Sequence, residues 1–158
     1  MDNQSQKTLQ QLIQTQQIAS LGTVNNGEPM VSMVMYAPSP DFLTFYIHIS
    51  QLAKHTKNII KQPQVALMIC ETLKSGQNPQ TLARISIKGE AQLISPNDEA
   101  YKEAQARYVE KNPGGAVNFQ LGDFSLYGIT FKSARYVAGF GKIFNLTKRN
   151  MLQTADLK

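Results

Sequence analysis

A mainly β, antiparallel split barrel with a few peripheral helices is the fold class that this sequence predicts. Three observations lead there. Short runs of alternating apolar and polar residues follow one another with turn signals between them. Asn25-Asn26-Gly27-Glu28 joins two of these runs as a hairpin, because Asn-Gly accepts the positive φ of a type I′ turn. Strand and helix patterns do not alternate regularly enough for a parallel sheet. Six or seven strands, mostly connected as a meander, with two or three helices outside them, satisfy all three.

The elements follow in order. Thr8–Gln17 reads as a helix with Leu9, Leu12, Ile13 and Gln16 on one face. Ile18–Val24 and Met30–Tyr36 are the hairpin strands. Ala37-Pro38-Ser39-Pro40-Asp41 breaks the second, and Phe42–Ile49 is the third. Its period of two puts Leu43, Phe45, Ile47 and Ile49 on one face and Tyr46, His48 and Ser50 on the other. A helix carrying Leu52, Ile59 and Ile60 inward runs from Ser50 towards Pro63, and Val65–Glu71 is the fourth strand. After the polar loop Thr72–Gln80 comes the long strand Ala83–Ile94, where Gly89 marks a bulge or bend. Ser95-Pro96-Asn97-Asp98 starts a helix that ends at Asn112-Pro113-Gly114-Gly115. Phe124–Phe131 and Ala134–Phe144 are the last two strands. The domain reading is an N-terminal helix or arm over 1–17, a barrel over 18–146 and a tail over 147–158.

Composition narrows the function classes. A chain of 158 residues with 42% hydrophobic and 17% charged residues is an ordinary soluble domain with a real core. A net charge of +5 favours anionic ligands, but the lysines are scattered without an aromatic-basic ladder, so no nucleic-acid partner is expected. The lone Cys70 allows neither an intramolecular disulfide nor a cysteine-based zinc site. The N-terminus is polar and glutamine-rich, unlike a signal peptide, and no apolar run approaches the ~20 residues of a membrane span. A cytoplasmic location without a membrane partner is the expectation. Just two histidines occur, His48 and His55, and no His/Asp/Glu cluster has metal-ligand spacing. No metal is expected, and no general base or other catalytic residue stands out. Asn112–Ala116 lacks the lysine and the strand–loop–helix context of a P-loop.

The segment Ile49-Ser50-Gln51-Leu52-Ala53-Lys54-His55-Thr56-Lys57-Asn58 carries the chemistry. It follows a strand and opens a helix, where free backbone N–H groups and the positive end of the helix dipole meet two lysines, a histidine and two hydroxyls. That is a pocket for a phosphate-like anion. Either Ser50 is the N-cap and the lysines reach back with their side chains, or the helix starts near Ala53 and the N–H groups of Lys54 and His55 face the anion with Thr56. The same spacing fits an ordinary amphipathic helix with exposed lysines. Arg84, before an apolar strand, reads as a carboxylate or phosphate partner or as a strand-end arginine in solvent. Gly139-Phe140-Gly141 permits close approach of a flat ligand, or curls the barrel.

Three motifs in this order resemble one family. Phe45–Ser50 with Leu52-Ala53-Lys54-His55-Thr56-Lys57-Asn58 and Gln62-Pro63-Gln64-Val65-Ala66-Leu67 is similar to the FMN-binding split barrels related to pyridoxamine 5′-phosphate oxidase. Ala83-Arg84 with Gly89 and Ala91, and Ala134-Arg135 with Val137 and Gly139-Phe140-Gly141-Lys142, resemble the heme-utilisation branch of that superfamily. The resemblance spans roughly Ile18 to Phe144. It implies a homodimer with two FMN sites at the interface. The flavin ring would lie against Val31, Ser32, Met33, Val34, Tyr46 and Ile47. Ser50, Lys54, His55, Thr56 and Lys57 would hold the phosphate, and Arg84 and Phe140 complete the cofactor-binding set.

The chain lacks the late Arg-x-His pair of the vitamin oxidases and the C-terminal histidine with which heme-degrading relatives hold iron. The expected function is an FMN-dependent oxidoreductase acting on a small molecule or electron donor. The alternatives are a heme-binding protein using the same dimer cleft, with His48, His55, a methionine or a tyrosine on the iron, and a flavin carrier or sensor without turnover.

Overall fold

In the computed structural model, which describes residues 1–157, β1 (Ile18–Asn25) and β2 (Glu28–Met35) close on the Asn26-Gly27 turn, whose φ values are 53° and 81°. Both are positive, as a type I′ turn requires. The register then runs from Asn25 opposite Glu28 to Ile18 opposite Met35.

Six further strands extend this pair: β3 (Ala37–Pro38), β4 (Thr44–Ser50), β5 (Gln64–Cys70), β6 (Arg84–Ile94), β7 (Phe124–Val137) and β8 (Ile143–Leu146). They make one antiparallel sheet in the order β2-β1-β5-β6-β7-β4-β3, with β8 on β7. The strand count exceeds the expected six or seven because Ala37–Pro38 pairs with β4 instead of only breaking the chain. The two final strands expected over Phe124–Phe131 and Ala134–Phe144 are in fact one 14-residue strand and a short β8. They part at Gly139 and Gly141, whose φ values of 122° and 78° suit glycine.

The sheet curls at Gly89, as its place in the sequence suggested. The β6–β7 register shifts between Lys88 and Gly89. A Cβ at Gly89 would stand 2.7 Å from the Ile129 side chain and from the Thr130 carbonyl oxygen, so glycine alone lets the strands cross this closely. Inside the curl Leu21, Phe45, Ile47, Leu67, Ile69, Ile85, Ile129 and Phe131 form the core.

Among the described residues four α-helices and two 3-10 segments surround the sheet, more than the two or three helices expected. Helix α1 (Asn3–Thr15) starts five residues before its expected place because the Asp2 carboxylate caps it, accepting from the Ser5 N–H at 2.9 Å. It closes one mouth of the barrel with Leu9, Leu12 and Ile13. The Tyr36 hydroxyl donates to the Ile13 carbonyl at 2.8 Å and the Tyr136 hydroxyl to the Ser5 carbonyl at 2.9 Å. Helix α4 (Lys148–Ala155) buries Met151 in the same core, so both terminal segments are integral to the packing.

Helix α2 (Lys54–Lys61) follows β4, and α3 (Tyr101–Lys111) leads into the 3-10 segment Pro113–Gln120. Lys111 ties this layer down. Its ammonium donates to the carbonyls of Gln14 and Gln16 at 2.8 and 2.6 Å, covering the free C-terminal carbonyls of α1, and it lies 4.7 Å above the Tyr36 ring. Among the described residues no helix is long and apolar enough to cross a membrane.

Candidate functional site

Strand β4 alternates as its sequence demands. Phe45, Ile47 and Ile49 point into the barrel, and Tyr46, His48 and Ser50 point the other way, beneath α3 and the 3-10 segment. At the His48 end that outer layer leaves a cavity of about 310 Å³. Met33 and Val34 of β2, His48 and Ser50 of β4, His55 of α2 and Tyr108 of α3 line it.

His48 is the most constrained group there. It is 7% exposed. The Phe119 ring lies parallel to it with centroids 3.7 Å apart, and Phe124 and Tyr108 flank it at 5.4 and 5.8 Å. Its Nδ1 is buried with no hydrogen-bond partner. Burial lowers its pKa from 6.5 to about 4, so the ring is neutral at pH 7. His55 shares the cavity. Burial lowers its pKa as well, and its Nε2 is likewise buried without a partner. Two neutral imidazoles with unsatisfied nitrogens in one largely apolar cavity form a donor–acceptor set that lacks its counterpart, since buried polar atoms are normally paired. Neutral imidazole is also the form that binds a metal or a metal-bearing ring.

The start of α2 resolves the two readings left open by the sequence. Ala53 is the N-cap, without any side-chain cap, and the helix begins at Lys54. Ser50 is instead the hub of the preceding turn. Its hydroxyl donates to Asp123 Oδ2 at 2.7 Å and accepts from the Leu52 N–H at 3.1 Å. Its carbonyl accepts from the Ala53 N–H at 3.2 Å and from the Thr56 hydroxyl at 2.6 Å. Thr56 is fully buried and faces the turn rather than a ligand. Of the expected anion donors, both hydroxyls are therefore engaged internally, and a carboxylate stands beside the first. What remains is the open first turn of α2 and the exposed Lys54 and Lys57.

The other expected cofactor residues are dispersed. Ile47 is in the core with no exposed surface. Tyr46 is half-buried, its hydroxyl pKa raised first by burial and then by Glu103 of α3 and by Asp41. Val31 is 70% exposed and belongs to a different groove, with Gly22, Ala66 and Lys88. Ser32 has a buried hydroxyl without a partner. Arg84 turns back on its own chain and donates to the Leu82 carbonyl at 3.0 Å. Phe140 is 77% exposed on the loop before β8. The cavity thus brings together Met33, Val34, Ser50 and His55 of that set and adds His48, which the sequence reading named as an alternative iron ligand.

Sequence reasoning missed Tyr108, Phe119, Phe124 and Asp123. Tyr108 carried a weak signal, being on the inward face of α3 with Ala104. Phe119 and Asp123 sit in a glycine-containing, aperiodic stretch that gave none. No group of three or more His, Cys, Asp and Glu that could hold a metal ion occurs among the described residues.

Comparison with known proteins shows what the chain as a whole is similar to. The family model for pyridoxamine 5′-phosphate oxidase matches residues 5–138. A chloroplastic heme oxygenase, HOZ, of Arabidopsis thaliana is 34% identical over 118 residues, 75% of this chain but 34% of the relative, so the chain spans about a third of that protein. The heme oxygenase HutZ of Vibrio cholerae is 24% identical over 158 residues, covering 98% of this chain and 82% of the relative. The solved heme-binding protein from Mycobacterium smegmatis superposes with a TM-score of 0.84 at 19% identity, over 97% of this chain and 62% of that one.

Proposed function

From the premise that this chain belongs to the pyridoxamine 5′-phosphate oxidase family, in its heme-utilisation branch, we propose that it binds heme as substrate or cargo in the cavity between β2, β4 and α3. One observation carries this reading. Two neutral imidazoles, each with an unsatisfied buried nitrogen, share an apolar, aromatic-walled cavity. An imidazole nitrogen suits ferric or ferrous heme iron, and aromatic walls suit a flat macrocycle. The similarity to HOZ and HutZ, both named heme oxygenases, supports the same ligand.

The reading includes a homodimer. Ile18, Val31, Met33 and Met68 are exposed large apolar side chains on adjacent strands β1, β2 and β5, a contiguous patch of the kind that marks an association surface. Met33 links it to the cavity. A second copy on this face would complete a cleft that one chain leaves open on the β2 side. The lone thiol of Cys70 and the family's chemistry fit a reducing compartment such as the cytoplasm.

FMN is the group the wider family implies, and the open first turn of α2 with Lys54 and Lys57 is the observation in its favour. The donor set fits it poorly, because the Ser50 and Thr56 hydroxyls are engaged internally and Asp123 adds a negative charge where a phosphate would be held. If FMN does bind, it would supply hydride or electron transfer to a small molecule, with the protein orienting the ring.

The test is a hemin titration of the purified protein followed by absorption. A saturable Soret band is expected. His48→Ala and His55→Ala together should weaken hemin binding at least tenfold and change the band position. No Soret band from the unaltered protein, or an unchanged one from the double variant, would sink the reading. Adding a reductant in air then separates degradation, in which the band decays, from storage or delivery, in which it persists.

A further inference from the structure

We propose that Asp123 is a specificity-determining residue that excludes phosphate-bearing ligands from the head of α2. The hydrogen bonds around Ser50 point to this role whether or not heme is the ligand.

A helix start after a strand recruits an anion when its hydroxyls and N–H groups are free to donate. Here the Ser50 hydroxyl has one proton, and Asp123 Oδ2 takes it at 2.7 Å. The Leu52 N–H donates to Ser50 Oγ at 3.1 Å, so this hydroxyl presents only acceptor character to any incoming oxygen. Thr56 is committed to the Ser50 carbonyl at 2.6 Å and is buried. The Asp123 main chain reinforces the arrangement, its carbonyl accepting from the Gln51 N–H at 2.6 Å. The carboxylate is thereby fixed on both its side chain and its backbone, beside Ser50, which itself lines the cavity.

A phosphate approaching the free N–H groups of Lys54 and His55 would meet this half-buried carboxylate as a like charge, where screening by water is incomplete. Lys54 and Lys57 are exposed, so their ammonium groups work through water and offset the repulsion only in part. Ligands whose polar groups are uncharged at this end escape the penalty. The same scaffold that presents a phosphate-type helix start has its anion built in.

The experiment compares FMN with riboflavin, which share the ring and differ in the phosphate, by quenching of flavin fluorescence. The unaltered protein should bind FMN no tighter than riboflavin. Asp123→Asn keeps an acceptor for the Ser50 hydroxyl and removes the charge. It should tighten FMN at least tenfold and leave riboflavin within about twofold, and Asp123→Ser serves as a second variant should the first fail to fold. FMN bound tenfold tighter than riboflavin by the unaltered protein would overturn the proposal. So would an FMN-to-riboflavin ratio that neither substitution changes. A hemin titration of the same proteins reads the heme proposal separately, since absence of hemin binding leaves the flavin ratio untouched.

Discussion

The outward faces of β4 and of the β2–β1–β5 strands belong to one curved sheet, yet they end in opposite states. Over β4 the chain supplies its own cover, with Phe119, Tyr108 and Phe124 enclosing His48 until it is 7% exposed. Over β2, β1 and β5 nothing covers Val31 or Met33, which are 70% and 64% exposed, although Met33 reaches the same cavity. One wall of the site is finished within the chain, and the other presents apolar surface to whatever arrives. The difference teaches that the cavity is half built, with its chemistry on the closed side and its boundary on the open side.

The sharpest way to break this comparison is to charge the open side. Val31→Asp with Met68→Asp would bury like charges across a symmetric association of this face. The expected effect is a loss of at least a thousandfold in dimer affinity, about 4 kcal/mol, read by analytical ultracentrifugation with the fold checked by circular dichroism. An unaltered protein that sediments as a monomer at high concentration would remove the premise that this face is one half of an interface.

A smaller effect is expected on the closed side. Phe119→Ala removes the ring stacked at 3.7 Å on His48 and opens the 3-10 cover. Phe119 is half-buried, so a loss of about 2 kcal/mol is expected in urea unfolding, less than for a fully buried phenylalanine. The His48 pKa should rise towards 6.5 in the same variant, as followed by NMR of the imidazole protons. No change in either quantity would mean that Phe119 does not enclose the ring.

How far the sequence could disclose this arrangement depends on the range of the interactions. The Asn26-Gly27 hairpin and the alternation along β4 are local, and each forms as its residues require; the bend at Gly89 has a local mark, the glycine, although the strand it approaches is distant. Period two alone placed His48 and Ser50 on one face. It also put Ile47 with Phe45 and Ile49 on the apolar face that enters the barrel, whereas the place of Ile47 beside a flavin came from the family resemblance and not from the period. The start of α2 was legible as two alternatives, but the partner that takes the Ser50 hydroxyl, Asp123, is distant in sequence and in an aperiodic loop. The cover over His48 comes from Pro113–Gln120, where glycines and a proline announce a loop but not which ring it will carry over β4. Local chemistry fixed the strands, while the site depends on pairings between distant segments.

The pH dependence of stability sharpens the comparison at the smallest scale. Burial holds His48 near pKa 4 in the folded protein, against 6.5 in the unfolded chain. Between those values the unfolded chain binds a proton that the folded chain does not, so stability rises with pH across this window. The contribution is fully present above pH 6.5, declines as the solution is acidified, and is exhausted below about pH 4. His48 lines a cavity rather than a closed core, so the expected effect is about 1 kcal/mol between pH 7.5 and 5. His55 is shifted in the same direction, so the measurement must be a difference. Urea unfolding of the unaltered protein and of His48→Gln at both pH values isolates the His48 part, because glutamine is polar, of similar reach and does not titrate. The unaltered protein should lose about 1 kcal/mol more than the variant on acidification. Equal losses would show that water reaches the His48 ring freely, and the β4 face would then be as open as the face of β2.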